Sequence, residues 1–202
     1  MGTGLRERWR IKAMRTIQER ALDLFDERGF GAVTIEEIAA AAEVSPATVY
    51  RYFGTKEGLL VADQFDNLSQ EAVEDIVDVR DPVGSLLAAV VEYEKPLAGT
   101  AGEDPRGEPV SWRRVRYFFL EPSVRRAACA AFDQASRRIV PLLTGAGGMT
   151  ETQARVAANA LVFGYFGALE QWYLDGGVRP IASYVEEGLR PLRGLWGEGE
   201  GA

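Results

Sequence analysis

A chain of 202 residues with 47% hydrophobic content is long enough to bury a substantial core. Its lack of histidine and its single cysteine, Cys129, exclude serine–histidine and cysteine–histidine nucleophile pairs, histidine-ligated zinc and any intrachain disulfide, so no catalytic residue, metal or cofactor is expected. The net charge of -7 is unevenly spread: residues 1–60 balance nine basic against nine acidic groups, while the remainder carries 14 against 21, so a polyanion-binding surface belongs to the first part.

The N-terminus "MGTGLRERWRIK" lacks the apolar core of a secretory leader, and no run of about 18 uncharged apolar residues follows it, which reads as a cytoplasmic protein without a membrane span. Five basic residues, Arg6, Arg8, Arg10, Lys12 and Arg15, stand against one acid in the first fifteen positions, which reads as a local footprint for a polyanion or, taken alone, equally as a solvated tail. From Trp9 to Arg28, Ile11, Met14, Ile17, Ala21, Leu24 and Phe25 follow the period of an amphipathic helix, and Gly29 supplies its stop. Thr34 with Glu37 three positions on forms a capping box for a short helix ending near Ala42. Ser45 then caps a third helix with Pro46 at its first position, Gly54 ends it, and Thr55 caps a fourth that is expected to continue to about Val79 before Asp81-Pro82. Two short helices around a tight turn, backed by a longer one, make a helix-turn-helix.

Beyond Pro82 the chain shows no strand alternation and reads as helices near 83–97, 110–120, 122–143, 151–174 and 180–196. The expected architecture is all-α: a helix-turn-helix domain over 1–54, a connecting helix over 55–80, a larger helical domain over 81–196, and a disordered tail over 197–202. The Gly/Pro-rich stretch 98–109 reads as a surface loop.

In a helix-turn-helix the second helix enters the major groove. Counted from Ser45, Val49 and Phe53 stand four apart and point inward, leaving Pro46, Ala47, Thr48, Tyr50, Arg51 and Tyr52 outward or at the edges. Hydroxyl and guanidinium donors suit phosphate oxygens and base edges, and Lys56 adds a charge at a helix start where backbone N–H groups already favour an anion.

The run "ALDLFDERGFGAVTIEEIAAAAEVSPATVYRYFGTKEGLL", residues 21–60, resembles the N-terminal domain of the TetR/AcrR family of transcriptional repressors in its Leu-Phe, Gly-Phe, Thr-Ile, Ile-Ala, Val-Ser, Tyr-x-Tyr-Phe and Lys-Glu-x-Leu elements. The resemblance covers about a quarter of the chain closely. It implies a three-helix DNA-binding domain joined by the fourth helix to a larger helical domain that dimerises and binds a small effector. By position, Thr34, Tyr50, Tyr52 and Lys56 would contact phosphates; Pro46, Ala47, Thr48 and Arg51 would face bases; and Ser45 caps the reading helix on the same surface. Arg8, Arg10 and Lys12 would add backbone or minor-groove contacts. One departure stands out: the family's turn glycine is here Glu43.

In the C-terminal part, helix 151–174 is apolar almost all round and therefore buried on more than one side. Ala157, Leu161, Gly164, Ala168 and Trp172, with Tyr165 alongside, form one stripe that, with Tyr184 and Val185 of the last helix, would make the dimer interface; ordinary intrachain packing is the alternative. Asn159, Phe163, Phe166 and Glu170 on the opposite face are expected to line an effector cavity, together with Glu94, which is centred on an apolar helix face, and Trp112 and Arg116. Aromatic walls with carboxylates suit a cationic aromatic effector, unless Arg113 and Arg116 reverse the sign or pair internally with Glu94. The expected function is a homodimeric, ligand-responsive repressor on a palindromic operator. The alternatives are a ligand-independent regulator or activator with the same DNA-binding domain, or an enzyme or small-molecule binding protein whose helix-turn-helix is structural.

Overall fold

The computed structural model describes residues 5–62, 70–94, 113–146 and 148–195, and among them every regular element is helical. The described residues of Met1–Gln64 and Gly102–Ala127 form one compact unit, and those of Phe65–Ala101 and Ala128–Ala202 another.

The first unit opens with α1, Leu5–Arg28, four residues earlier than the apolar period suggests, and its first fully buried side chain among the described residues is Ile17. A 3-10 turn at Phe30–Ala32 leads to α2, Ile35–Ala41, whose Thr34–Glu37 capping box forms as the spacing predicts. Then come α3, Pro46–Phe53, and α4, Gly58–Val61. Ile17, Ala21, Phe25, Ile38, Val49, Leu59 and Leu60 bury together as the core that holds these helices.

The fourth helix does not run on to Val79 as expected. It stops at Ala62, whose ψ of 127° is extended. The side-chain amide of Gln18 donates to the carbonyls of Leu59 and Ala62, both at 3.0 Å, and Arg114 Nη1 donates to Ala62 O at 2.8 Å. Carbonyls that a next helical turn would use are thus satisfied from distant positions. The remainder of this unit is Arg113–Arg116, α7 at Tyr117–Leu120, and the beginning of α8, Pro122–Gly145, a helix that belongs in part to each unit. The Tyr117 ring meets Phe25 at 5.9 Å and Phe30 at 6.4 Å, which fastens α7 to the helix-turn-helix core.

The second unit holds α5 (Gln70–Ile76), α6 (Pro82–Glu94), the rest of α8, α9 (Glu151–Leu174), α10 (Ile181–Leu189) and a closing 3-10 stretch, Arg190–Leu195. The expected bounds of α9 are met at both ends; a second capping box, Thr150 with Gln153, starts it. α9 and α10 pack along each other, with Gly164 against Leu189 and Gly188 against Ala168. Leu143, Ala154, Ala157 and Ala158 form a buried cluster between α8 and α9. No described helix is long and apolar enough to cross a membrane.

Candidate nucleic-acid interface

α3 is built to present one face. Ser45 Oγ accepts the Thr48 amide at 3.2 Å and lies 3.0 Å from the Thr48 hydroxyl, while Pro46 fills the first helical position, where no N–H is needed. Val49 and Phe53 bury inward. Ser45, Pro46, Ala47, Tyr50 and Arg51 are consequently exposed, with Thr48 and Tyr52 half-buried at the edges. The Arg51 guanidinium stacks 5.0 Å from the centre of the Tyr52 ring, which restrains a long side chain before any partner arrives. Gly54 ends α3 at φ 70°, and a Cβ on Gly58 would collide with the Phe53 carbonyl oxygen, so the turn into α4 requires glycine.

Two of the expected phosphate ligands are already engaged in the free protein. Thr34 Oγ1 accepts the Glu37 amide at 3.2 Å and donates to Glu37 Oε2 at 3.1 Å, while the Thr34 amide donates to the same carboxylate at 2.8 Å. That amide hydrogen bond, followed by the 2.8 Å pair with Arg28, holds the Glu37 carboxyl below its ordinary value. Lys56 Nζ donates to the carbonyls of Phe30 at 2.7 Å and Val33 at 3.0 Å and sits 4.4 Å from the Phe30 ring centre. An ammonium has three donors, so one N–H of Lys56 remains for an anion. Sequence reading missed this clasp because its acceptors lie 23 and 26 positions away.

The turn between α2 and α3 forms with Glu43 at φ 54°. The Val44 amide donates to Ala39 O at 2.9 Å and the Glu43 amide to Ala40 O at 3.2 Å, the paired bonds of a helix that closes on a left-handed residue. The geometry that favours glycine is therefore kept, and the side chain is carried in it under strain.

In the second unit the residues assigned to the dimer interface are interior. Ala157, Leu161, Ala168, Trp172, Tyr184 and Val185 are all buried within the single chain, Gly164 faces Leu189, and Tyr165 meets the Phe132 ring edge-on at 6.0 Å. Gly164 and Ala168 lie in the seam between α9 and α10, while Ala157 and Tyr165 pack towards α8. The exposed apolar face of α9 is instead Val156, Phe163 and Leu174, with Gly167 open between them. The expected cavity residues are divided. Phe163 and Phe166 pack on Phe132 at 6.5 and 5.1 Å, and Asn159 accepts from Ser136 at 3.1 Å and donates to Arg155 O at 2.8 Å, all in the second unit with half-buried Glu170. Arg116 belongs to the first unit, where it lies 3.6 Å from Asp26 Oδ1. Trp112 and the side chain of Glu94 lie outside the described residues.

Residues 17–62 match the model of a family described as bacterial regulatory proteins, tetR family. Over 159 residues the chain is 32% identical to the HTH-type transcriptional repressor Rv3405c of Mycobacterium tuberculosis, an alignment covering 72% of this chain and 85% of that protein. It is 32% identical over 88 residues to the HTH-type transcriptional regulator LuxR of Vibrio harveyi, covering 41% of this chain and 43% of LuxR, so the match spans under half of that relative's length. In fold it is similar to NalD, the secondary repressor of the MexAB-OprM multidrug efflux pump in Pseudomonas aeruginosa, with a TM-score of 0.54 at 21% identity over 90% of this chain and 93% of NalD.

Proposed function

The chain belongs to the tetR family of bacterial regulatory proteins, and from that premise we propose that it is a cytoplasmic repressor that binds a palindromic operator as a homodimer and releases it when a small molecule occupies the second unit. Membership makes it a transcriptional regulator rather than an enzyme. The observation that carries the reading of the site is the face of α3, where Pro46, Ala47, Tyr50 and Arg51 stand exposed on a short helix anchored by Val49 and Phe53. A helix held from behind with donors in front suits the major groove. Tyr50, Tyr52 and the third N–H of Lys56 are assigned to phosphates and Arg51 to a base edge; Thr34 joins the phosphate contacts only by giving up one of the two donations it makes to Glu37.

Selection of bound fragments from the source genome tests this: an inverted repeat with half-sites about one helical turn apart is expected. On that operator Arg51→Ala is expected to cost about 1–3 kcal/mol and to relax preference at one position per half-site. Equal losses on all sequences would make Arg51 a phosphate contact.

The exposed stripe Val156, Phe163 and Leu174 supports α9 as the face that meets the second copy, since an apolar row on one helix is otherwise left in water. For the effector, the ring pair of Phe132 and Phe166, with Glu170 a turn beyond Phe166 on α9, supports a cationic or amine-bearing aromatic molecule. A thermal-shift and operator-release screen of matched cationic, neutral and anionic aromatics tests it, and release by anionic compounds alone would reverse the assignment.

A further inference from the structure

We propose that Glu43, in the turn between α2 and α3, is a specificity-determining residue: its carboxylate repels the phosphates of any duplex that α3 meets and is compensated only where the amino group of a cytosine lies within its reach. The inference rests on the DNA-binding reading above, and it concerns a position where this chain departs from the glycine of the family turn.

Glu43 is the only acidic residue from Ile38 to Lys56, the stretch that holds the turn and the whole of α3. It is exposed and stands at φ 54°, a conformation that glycine adopts freely and a residue with a Cβ does not. Strain of this kind on a binding surface points to a use for the side chain. The structural tasks of the turn fall to other groups: the amides of Glu43 and Val44 close α2 on the carbonyls of Ala40 and Ala39 at 3.2 and 2.9 Å, and Ser45 Oγ caps α3 by accepting the Thr48 amide at 3.2 Å. The Glu43 carboxylate makes no hydrogen bond or ion pair among the described residues. The two cations of the same stretch are engaged elsewhere, Arg51 over the Tyr52 ring and Lys56 on the carbonyls of Phe30 and Val33. The position is also fixed. Two residues of chain span at most about 7 Å, so the Glu43 Cα lies within that distance of Ser45, at the end of α3 that meets base edges. This is inside the screening length of about 8 Å at physiological salt, so phosphates flanking α3 feel the carboxylate. In the major groove guanine presents only acceptors, adenine sets its amino group beside the N7 acceptor, and thymine presents an acceptor and a methyl group. Cytosine alone offers an amino donor with no acceptor of its own beside it. A charge left unpaired on every other sequence raises discrimination without adding attraction.

The test uses the full chain, a labelled random-sequence duplex and a genomic fragment recovered by selection, titrated at about 50 and 200 mM salt with the parent, with Glu43→Gln and with Arg51→Ala. Glutamine removes the charge but keeps the Cβ, so charge is separated from backbone strain; Glu43→Ala serves as a second neutral form, and thermal unfolding checks that each variant folds. At the lower salt Glu43→Gln is expected to bind the random duplex about threefold more tightly per bound chain, the effect of removing one like charge at roughly 7 Å in water, and the gain should shrink at the higher salt. On the recovered fragment no gain is expected, so the preference for that fragment falls by about threefold or more. Selection repeated with Glu43→Gln should lose a cytosine that the parent enriches in each half-site. Equal gains on both DNAs would make the repulsion general and overturn the proposal. Unchanged affinities, with Arg51→Ala still weakening binding to the fragment, would put the carboxylate out of reach of DNA and overturn the proposal alone. If the parent binds neither DNA, both readings fall.

Discussion

Glu43 occupies a backbone conformation that costs an L-residue roughly 1–2 kcal/mol, and the two amide bonds of the α2 terminus keep it there. Glu43→Gly is therefore expected to raise the unfolding free energy by about 0.5–1 kcal/mol, the relief of strain being partly offset by the greater freedom of glycine in the unfolded chain. Urea unfolding measures it, and Glu43→Ala, which keeps a Cβ, is expected to gain less. Lys56 shows a different side of the same interface. Its ammonium satisfies the carbonyls of Phe30 and Val33, so Lys56→Met, which keeps the apolar stem but removes the donors, is expected to destabilise the protein by about 2 kcal/mol and, through its third N–H, to reduce the salt slope of DNA binding by about one unit. Stability unchanged with a shallower slope would make Lys56 a phosphate ligand only.

At the level of elements, the segment around α7 is tied to α1 by a polar cluster. Arg113 donates through Nε and Nη2 to Asp26 Oδ2 at 2.9 and 2.6 Å and through Nη1 to Asp23 Oδ1 at 3.0 Å, and the Tyr117 hydroxyl donates to Asp26 Oδ1 at 2.6 Å. Burial, reinforced by the Asp26 carboxylate, pushes the Tyr117 phenol well above its ordinary value, with the nearby arginines opposing. The folded state thus holds this proton more tightly than the unfolded state does. Its contribution is complete below about pH 10, the ordinary phenol value, and is lost as pH rises past it. Tyr117→Phe is expected to cost about 1–2 kcal/mol at neutral pH and to flatten the fall in stability above about pH 10, read by chemical unfolding at several pH values. An equally steep alkaline fall in the variant would assign the loss to other groups. These partners are about 90 positions apart, and nothing in the charge pattern of α1 pointed to them.

For the whole molecule, the exposed row on α9 makes a prediction that separates assembly from folding. Val156 is 64% exposed in the single chain, so Val156→Asp is expected to leave thermal unfolding at high dilution nearly unchanged while shifting sedimentation towards monomer and weakening operator binding. A dimer that persists in the variant would place the interface elsewhere. What the sequence determined by itself were the features whose cause lies within about four residues: the capping boxes and Ser45 cap that start α2 and α3, the inward pair Val49 and Phe53, hence the outward face of α3, and the extent of α9. Tertiary structure alone decided where α4 stops, because Gln18 and Arg114 take its last carbonyls, and what Lys56 holds in the free protein. It also decided which side of α9 is left to water. A helix apolar on every side has no periodicity to mark its solvent face, so the choice between the stripe of Leu161 and Trp172 and the row of Val156 and Leu174 was made by the helices packed against it.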